Sequence, residues 1–486
     1  MQRAGRREWI GLAVLTLPCL LYAMDLTVLN LAVPHLTAAL QPSSTELLWI
    51  VDIYGFLVAG SLITMGTIGD RIGRRRLLMI GAVAFGCASV FAAFAQTATM
   101  LIVARAVLGV AAATIAPSTL SLISNMFRDD KQRSLAIGVW VSAFSAGGAL
   151  GPMAGGLLLE HFWWGSVFLL AVPVMLLLLV LGPRLLPEYR DPVAGRIDLR
   201  SAALSVAAVL TVIFGVKQIA AGGNTLTALT VIAAGLALGV IFVRRQSRLA
   251  HPLLDLQLFR NRAFTVCLGI YVLGAFAAFG TFLAVAQYLQ LVLGLEPFEA
   301  GLVSAPSGVA FILGSIAAPV MLRWMAKRVV MIIGLGIAAI GAVVLAQLDT
   351  DSTLGLLLAG QLIFAIGLSL TFTHAVDLVV ASAPPERAGS ASALAETGAE
   401  LGGAVGIAIL GSIITFVYRG AMTATGAPAE AVDSLGGAVA IADRLPAGAL
   451  AIAREAYTHS TSITSMICAG AMVVACIAAA LLIPKR

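Results

Sequence analysis

The chain alternates long apolar stretches with short polar segments along almost its whole length. A stretch of about 20 apolar residues forms a helix that crosses the hydrocarbon core of a bilayer. Fourteen stretches are long enough, and we predict a membrane-spanning helix at each. The predicted spans are 10–33, 47–68, 77–96, 99–123, 135–158, 166–182, 203–221, 226–243, 263–290, 299–321, 329–347, 354–379, 391–417 and 461–483. The pattern therefore predicts an all-α integral membrane protein with fourteen transmembrane helices.

The composition agrees with a membrane protein and excludes a water-soluble one. Of the residues, 60% are hydrophobic and 11% are charged, whereas about 25% are charged in a typical soluble domain. The net charge of +6 comes from arginines scattered over separate loops, without a basic patch that alternates with aromatic residues. We therefore expect no nucleic-acid partner. The five cysteines all fall within predicted spans, which indicates neither a disulfide framework nor a metal site.

The basic residues are distributed unequally between the two sides of the predicted membrane. Most of the 30 lysines and arginines lie in alternate loops and in the two terminal segments. The exceptions are Arg419, Arg444 and Arg454 in loops of the other side, and Arg105 and Lys217 within spans. Loops rich in lysine and arginine stay in the cytoplasm. The distribution therefore predicts fourteen helices with both termini in the cytoplasm.

Two short motifs occur once in each half of the chain. The run Gly147–Gly151 resembles Gly402–Gly406, and the basic run Arg74–Gly81 resembles Lys327–Gly334. Both pairs are separated by nearly the same number of residues, which favours an internal repeat over chance similarity. Parallel repeats with a site at their interface are an architecture of secondary transporters. We predict three parts with six, two and six helices, which are residues 1–185, residues 186–262 and residues 263–486.

Two segments outside the membrane are long enough to have structure of their own. The insertion at about 420–460 is predicted on the external side, with short helices at Ala427–Ala440 and Pro446–Tyr457. A gate and a passive cover both remain open as the role of this insertion. On the cytoplasmic side, the basic loop 244–262 is expected to lie on lipid headgroups.

The chain contains no motif for a nucleotide or a redox cofactor. A phosphate-binding P-loop needs a lysine directly after a glycine, and no lysine here follows a glycine. The five histidines are scattered, and we find no set of a nucleophile and a base that would indicate an enzyme. We therefore expect no ATP, no cofactor and no enzyme activity. An ion gradient remains as the source of energy, and its use requires titratable groups within the membrane.

Three charged residues fall within the predicted outer half of the membrane. At about 1.5 Å per residue, Asp25 of the first span lies at a depth similar to that of Asp52 and Arg105. An arginine without a partner is costly there, so we expect one or both aspartates to face Arg105. Such a set is a candidate for proton coupling. A fixed ion pair that only holds helices together remains the alternative.

Two further carboxylates lie four residues apart in the thirteenth span. Glu396 and Glu400 therefore share one face of a helix. Carboxylates this close repel each other, which makes the face a candidate for cation binding or proton exchange. The alternative is that both side chains turn to cytoplasmic water. His374 and Asp377, near the end of the twelfth span, are expected at the membrane interface.

Five motifs follow one another over essentially the full chain. They are Asp25–Pro34, Asp70-Arg71-Ile72-Gly73-Arg74 within Gly66–Arg76, Arg105 with Gly109, Gly147–Gly156 and Glu396–Gly402. Together, and in this order, they resemble the motifs of the major facilitator superfamily, and in particular of its branch of 14-helix drug:proton antiporters. In that family the second motif is the signature loop, the third lies in the fourth helix and the fourth is the antiporter motif of the fifth helix, while the first and last resemble the 14-helix branch.

The resemblance implies roles for these residues. Asp70, Arg71 and Arg74 would form a cytoplasmic latch, with a simple anchor at the membrane surface as the alternative role of the arginines. Arg105 would act with Asp25 and Asp52 in proton coupling. Asp52 also matches, with Glu396 and Glu400, positions linked to cationic substrates. The fifth helix would pack closely and bend at its small residues and proline, which are Gly147, Gly151, Pro152, Gly155 and Gly156.

The resemblance also implies a function. The implied protein is a monomeric, proton-coupled antiporter that exports lipophilic cationic drugs, antiseptics and dyes by alternating access. It would lie in the plasma membrane, which is the inner membrane of a bacterium. Its partners would be these cations, protons and the lipid bilayer. Trp49, Tyr54 and Phe279 would offer cation–π contacts, with packing alone as the alternative. Two other functions remain open: export of an endogenous lipid, peptide or siderophore, and a membrane sensor that transports nothing.

Overall fold

The computed structural model describes residues 4–42, 44–190, 198–220, 224–249, 252–254, 256–350, 352–384 and 388–483. The side chains of some helix residues, among them Asp52 and Pro152, lie outside this description. In the described part of the chain every regular element is helical. A bilayer core offers no water to the peptide groups, so helices that satisfy their own N–H and C=O groups are the expected form. The predicted all-α fold is confirmed.

The described α-helices number eighteen. The first ten are α1 (Arg6–Leu40), α2 (Ser44–Ile72), α3 (Arg74–Ala93), α4 (Ala98–Ala112), α5 (Ile115–Met126), α6 (Asp130–His161), α7 (Ser166–Leu169), α8 (Ala171–Leu185), α9 (Leu199–Ala220) and α10 (Thr225–Gln246). The others are α11 (Arg262–Gln287), α12 (Pro297–Met321), α13 (Lys327–Leu345), α14 (Leu354–Ala381), α15 (Ala388–Met422), α16 (Ala429–Asp433), α17 (Leu435–Ala440) and α18 (Ala449–Leu482). A π-helical segment, Tyr288–Val292, extends α11.

The fourteen predicted spans all fall on these helices. Within the described residues, 13 spans are long and apolar enough to cross a membrane, and the apolar stretch of α9, Arg200–Val216, is shorter. Two of the predicted spans are broken into helix pairs. Pro117 and Pro173 each lie at the third position of the second helix of a pair, in α5 and α8. Proline has no N–H to donate to the preceding turn, so α4 and α7 end just before them.

The helices pack as two sets joined by an inserted pair. The first helix set comprises α1–α8, the second comprises α11–α15 with α18, and α9 with α10 form the inserted pair. Helix α9 packs against both α2 and α15, and α10 packs against α9. The two sets meet directly where α2 contacts α15 and where α6 contacts α12. Small residues permit these contacts: a side-chain carbon at Gly66 would meet Ala393, and one at Gly138 would meet the carbonyl of Ser315.

Helices α1, α3, α6, α13 and α15 all begin at one end of the bundle, which we call the basic end because of its arginine-rich loops. The headgroup prediction for loop 244–262 is wrong for part of this loop. Leu253 and Leu254 are buried. The Leu253 N–H donates to Gln246 at 2.7 Å, and its carbonyl accepts from the Thr67 hydroxyl at 2.9 Å. Two adjacent apolar residues thus anchor the loop on the protein.

The segment between α15 and α18 packs on the second helix set. The predicted helix Ala427–Ala440 is two short helices, α16 and α17, because Ser434 is extended and caps α17 with its side chain. The prediction of a separate helix at Pro446–Tyr457 is wrong, because Ala449 already begins the long α18. The Tyr418 hydroxyl donates to the carbonyl of Ala431 at 2.8 Å. The segment is therefore tied to one helix set.

Candidate functional site

Arg105 of α4 is a fully buried cation, and its partners lie on two other helices of the first set. Its guanidinium pairs with Asp25 of α1, with 2.5 Å between Nη1 and Oδ2. Its Nε donates to the carbonyl of Ile50 in α2 at 3.2 Å. The guanidinium carbon also lies 4.6 Å from the ring centre of Tyr54. A charge with this little access to water needs such partners, and protonation of Asp25 would remove the principal one.

Of the remaining residues predicted for this region, one lies near Arg105 and two lie apart from it. Tyr54 is buried beneath Arg105. Trp49 is 40% exposed and contacts Phe56 edge-on. Phe279 is 44% exposed and packs beside Gly403 of α15. The side chain of Asp52 lies outside the described residues.

Glu396 and Glu400 lie on α15, and each accepts a hydrogen bond from a tyrosine. Tyr271 of α11 donates to Glu396 at 3.4 Å, within the second helix set. Tyr22 of α1 donates to Glu400 at 2.8 Å, from the first set to the second. Glu396 is buried, and Glu400 is half-buried. The pair does not turn to the water of the basic end, because both carboxylates face aromatic side chains.

Tyr22 and Tyr271 were not predicted from the sequence. Each lies in a long and mostly apolar helix, where a tyrosine usually packs like any aromatic residue. One signal was present for Tyr22, which precedes Asp25 by three residues and so lies on the same side of α1. Together these contacts form one buried polar layer that can hold a cation against carboxylates and a proton on a carboxylate.

The predicted latch residues lie where the basic ends of the two sets meet. Asp70 pairs with Arg74, which is fully buried. Asp70 also accepts from the hydroxyl of Ser390 at 2.7 Å. Ser390 lies in the first turn of α15, whose N-terminus attracts negative charge. These three residues, which we call the Asp70 latch, tie α2 to α15, and Arg71 beside them is half-buried.

A second buried charge cluster lies at the same end of the bundle. Asp377 accepts from Arg133 Nε at 3.1 Å and from the Ser134 hydroxyl at 2.5 Å, and it lies 2.7 Å from Lys327 Nζ. We call these four residues the Asp377 cluster. Asp377 and His374 are fully buried within the protein at this end of the bundle, and their position at the membrane interface stays a prediction. Two cations and a hydroxyl from distant helices replace water around the carboxylate.

The glycines of the predicted antiporter motif lie on α6 and differ in what surrounds them. Helix α6 runs without a break from Asp130 to His161, although the side chain of Pro152 lies outside the described residues. A side-chain carbon at Gly147 would meet the carbonyl of Leu20 in α1, and one at Gly155 would meet Val28. Gly148 and Gly156 face open space, and Gly151 is buried. Gly147 and Gly155 therefore let α6 approach α1.

We expect Gly147→Ala to destabilise the protein and Gly148→Ala to leave its stability unchanged or slightly higher. The added methyl group at position 147 collides with α1, and overpacking of this kind costs about 1–3 kcal/mol. At position 148 the methyl group meets nothing, and alanine favours a helix more than glycine does. The melting temperatures of the two purified variants in detergent check this. Equal melting temperatures would contradict the close approach of α6 to α1.

Comparisons with known proteins agree on the class of protein. Residues 16–407 match the family model described as Major Facilitator Superfamily. The chain is 44% identical over 479 residues to the multidrug efflux pump LfrA of Mycolicibacterium smegmatis, covering 96% of this chain and 94% of the relative. It is 34% identical over 472 residues to the methyl viologen resistance protein SmvA of Salmonella typhimurium, covering 94% of this chain and 95% of the relative.

A solved structure agrees on the fold. The crystal structure of the human organic anion transporter MFSD10 superimposes with a TM-score of 0.63 and covers 97% of this chain and 99% of its own. At 15% sequence identity, this likeness bears on the fold alone.

Proposed function

The chain belongs to the Major Facilitator Superfamily, and from this premise we propose that it exports lipophilic cations in exchange for protons. Membership in this family makes the chain a multi-pass membrane transporter and not an enzyme. The exchange rests on one observation. The Arg105–Asp25 pair and the carboxylates of Glu396 and Glu400 lie in one buried layer where the two helix sets meet.

The chemistry of this layer supports an exchange of one positive charge for another. Carboxylates within a membrane bind either a proton or a cation, and they rarely serve structure alone. If both ligands use coupled carboxylates, each lowers the affinity for the other, and this reciprocity is what an antiporter needs. Asp25 beside Arg105 suits the proton, because its neutral form frees the guanidinium. Glu396 and Glu400 suit the cation.

The names of two relatives support a cationic substrate. LfrA is called a multidrug efflux pump, and SmvA is named for resistance to methyl viologen, which is a compound with two positive charges. Two carboxylates one helical turn apart match two positive charges in one molecule better than a single carboxylate does. Trp49 contacts Phe56, and Phe279 packs beside Gly403. We propose that these two aromatic residues meet substrate along its route out.

We propose that the basic end faces the cytoplasm of a bacterium and that this structure is closed on that side. Loops rich in arginine stay in the cytoplasm. The Asp70 latch and the Asp377 cluster both join the two helix sets at the basic end. Alternating access requires that both open together when a monomer accepts substrate from the cytoplasm or the inner leaflet. The segment between α15 and α18 would move with the second set as a cover.

We expect Asp377→Asn to open the cytoplasmic side. The variant leaves Arg133 and Lys327 without their shared carboxylate, and the loss of one partner of a buried charge pair costs about 3–5 kcal/mol. In everted vesicles, trypsin should then cleave after Lys327 or Arg328 at least about tenfold faster, since 1.4 kcal/mol already shifts an equilibrium tenfold.

Asp130→Asn is the matched control for this variant. Asp130 also pairs with Arg133, at 2.8 Å, but its side chain is 66% exposed. Exposed pairs contribute about 0–1 kcal/mol, so cleavage should stay close to the wild-type rate. Equal cleavage of the wild-type protein and the Asp377 variant would contradict the role of the Asp377 cluster as a latch.

The direct test of the function is ethidium uptake into everted membrane vesicles. A pH gradient with an acidic vesicle interior should drive ethidium into vesicles that contain the protein. An agent that dissipates the gradient should stop this uptake. Control vesicles contain the Asp25→Asn variant. Uptake that ignores the gradient would contradict proton coupling. Absence of ethidium uptake together with export of a lipid or peptide would favour an endogenous substrate.

A further inference from the structure

Tyr22 forms a hydrogen bond that joins the two helix sets at the depth of the carboxylates. Its hydroxyl in α1 donates to Glu400 in α15 at 2.8 Å. Two aromatic neighbours fix its ring, Phe144 at 5.6 Å and Tyr54 at 6.3 Å between ring centres. Tyr22 is only 5% exposed. Water therefore cannot replace this donor unless the two sets separate.

Tyr54 offers a second hydroxyl in the same place. The ring is fully buried, and its hydroxyl has no hydrogen-bond partner among the described residues. Asp25, Arg105 and Glu400 all lie close enough to act on it electrostatically. A buried hydroxyl without a partner is destabilising, and natural structures retain few of them without a functional reason. Tyr54 thus lies between the ion pair of the first set and the carboxylate of the second.

The two tyrosines complete a continuous path of contacts. Asp25 pairs with Arg105, whose guanidinium lies over the ring of Tyr54. Tyr54 lies beside Tyr22, and Tyr22 donates to Glu400. We propose that Tyr22 and Tyr54 are positioning residues that link the Arg105–Asp25 pair to Glu400, so that a cation at Glu400 and a proton at Asp25 exclude each other. This inference rests on the proposed exchange of cations for protons.

The link acts in both directions through charge. A cation at Glu400 neutralises the acceptor of the Tyr22 hydrogen bond and weakens the bond that holds α1 to α15 at this depth. A proton at Asp25 releases Arg105, whose full charge then acts on the Tyr54 ring and hydroxyl. The Tyr54 hydroxyl can turn toward either side, because no side chain among the described residues fixes it with a hydrogen bond. Each event therefore changes the surroundings of the other site without direct contact.

Tyr271 provides a matched control. Tyr22→Phe and Tyr271→Phe each remove one hydroxyl donor from one carboxylate of α15 and keep the ring. Of these two hydroxyls, that of Tyr22 joins the two helix sets, whereas Tyr271 and Glu396 belong to the same set. If tyrosines serve only to solvate the carboxylates, the two variants should behave alike. If Tyr22 links the sets, they should differ in coupling.

The experiment measures binding and exchange of tetraphenylphosphonium in the purified protein. Binding is measured in detergent, and exchange against an imposed pH gradient is measured in proteoliposomes. For Tyr22→Phe and Tyr54→Phe we expect binding within about threefold of wild type and exchange reduced about tenfold or more, within the usual range of coupling between sites. Tyr271→Phe, which removes a donor to a proposed cation-binding carboxylate, should bind the cation more weakly, but its exchange at saturating cation should fall much less than that of Tyr22→Phe.

A second readout separates a positioning role from a packing role for Tyr54. Removal of a hydroxyl that has no partner should raise the melting temperature of Tyr54→Phe even as exchange falls, whereas a packing defect would lower both. Equal exchange in the Tyr22 and Tyr271 variants, or wild-type exchange in Tyr22→Phe, would overturn the proposed link. Wild-type protein that binds the cation but exchanges nothing would instead contradict the proposed function.

Discussion

Asp25→Asn and Arg105→Ala are expected to reduce proton-driven export of cations to background. In the structure each residue is the ionic partner of the other, with 2.5 Å between their charged atoms and almost no access to water for Arg105. Asparagine keeps the shape of the aspartate but cannot take up or release a proton. Alanine removes the charge that a protonated Asp25 would free. Either change should uncouple the transport of cations from the proton gradient.

Two controls distinguish lost coupling from lost folding. Asp25→Asn should still exchange labelled for unlabelled cation across proteoliposomes without a gradient, because this reaction needs no proton. Asp433→Asn removes a carboxylate from an exposed pair with Arg419, at 3.2 Å, and should leave export unchanged. Normal release of protons by the Asp25 variant on addition of the cation would refute the coupling role of the pair.

Glu396→Gln and Glu400→Gln should weaken the binding of cations far more than that of neutral dyes. The amide keeps nearly the same shape and removes the negative charge, whose attraction is strong in a site of low dielectric constant. We expect at least about a tenfold loss for a cation with one charge, or about 1.4 kcal/mol. A cation with two charges should lose more if it contacts both carboxylates.

Asp52→Asn belongs in the same binding assay, because Asp52 is the principal competitor for cation recognition. Equal losses for neutral and charged ligands in the two glutamate variants would indicate a packing or conformational defect rather than lost attraction. A cation-selective loss in the Asp52 variant alone would move the recognition site to α2. Binding of ethidium and of a neutral dye, followed by fluorescence, provides the comparison.

Hydropathy alone was sufficient to predict the all-helical membrane architecture and its spans, whereas the family depended on the motifs. Each predicted span falls on a helix, because a membrane leaves the backbone of an apolar segment almost no other choice. The details that hydropathy missed depend on single residues. Pro117 and Pro173 break two spans, and the extended Ser434 divides the external segment. The buried Leu253 and Leu254 hold part of the basic loop 244–262 against the protein, although the charge of this loop favours contact with lipid headgroups.

The sequence predicted site residues only where a charge buried in the membrane has a high free-energy cost. A buried arginine demands an acid, so depth alone brought Asp25 to Arg105. Tyr22 and Tyr271 were not predicted, because an uncharged tyrosine can lie in an apolar helix without that free-energy cost. Its position in the sequence therefore gives no indication of a partner. The burial of Asp377 among charged partners was not predicted, because its position near a helix end indicates only a place near the membrane interface. Its partner Arg133 lies 244 residues away in sequence, and no local pattern connects them.

The most direct test of the account follows protons and cations in the same proteoliposomes. The purified protein is reconstituted with a pH-sensitive dye inside, and tetraphenylphosphonium is added outside without a pH gradient. Exchange predicts that entry of the cation drives protons out, so that the interior becomes alkaline for the wild-type protein and not for Asp25→Asn. Entry of the cation with no change in internal pH, or with the same change in the Asp25 variant, would contradict the account.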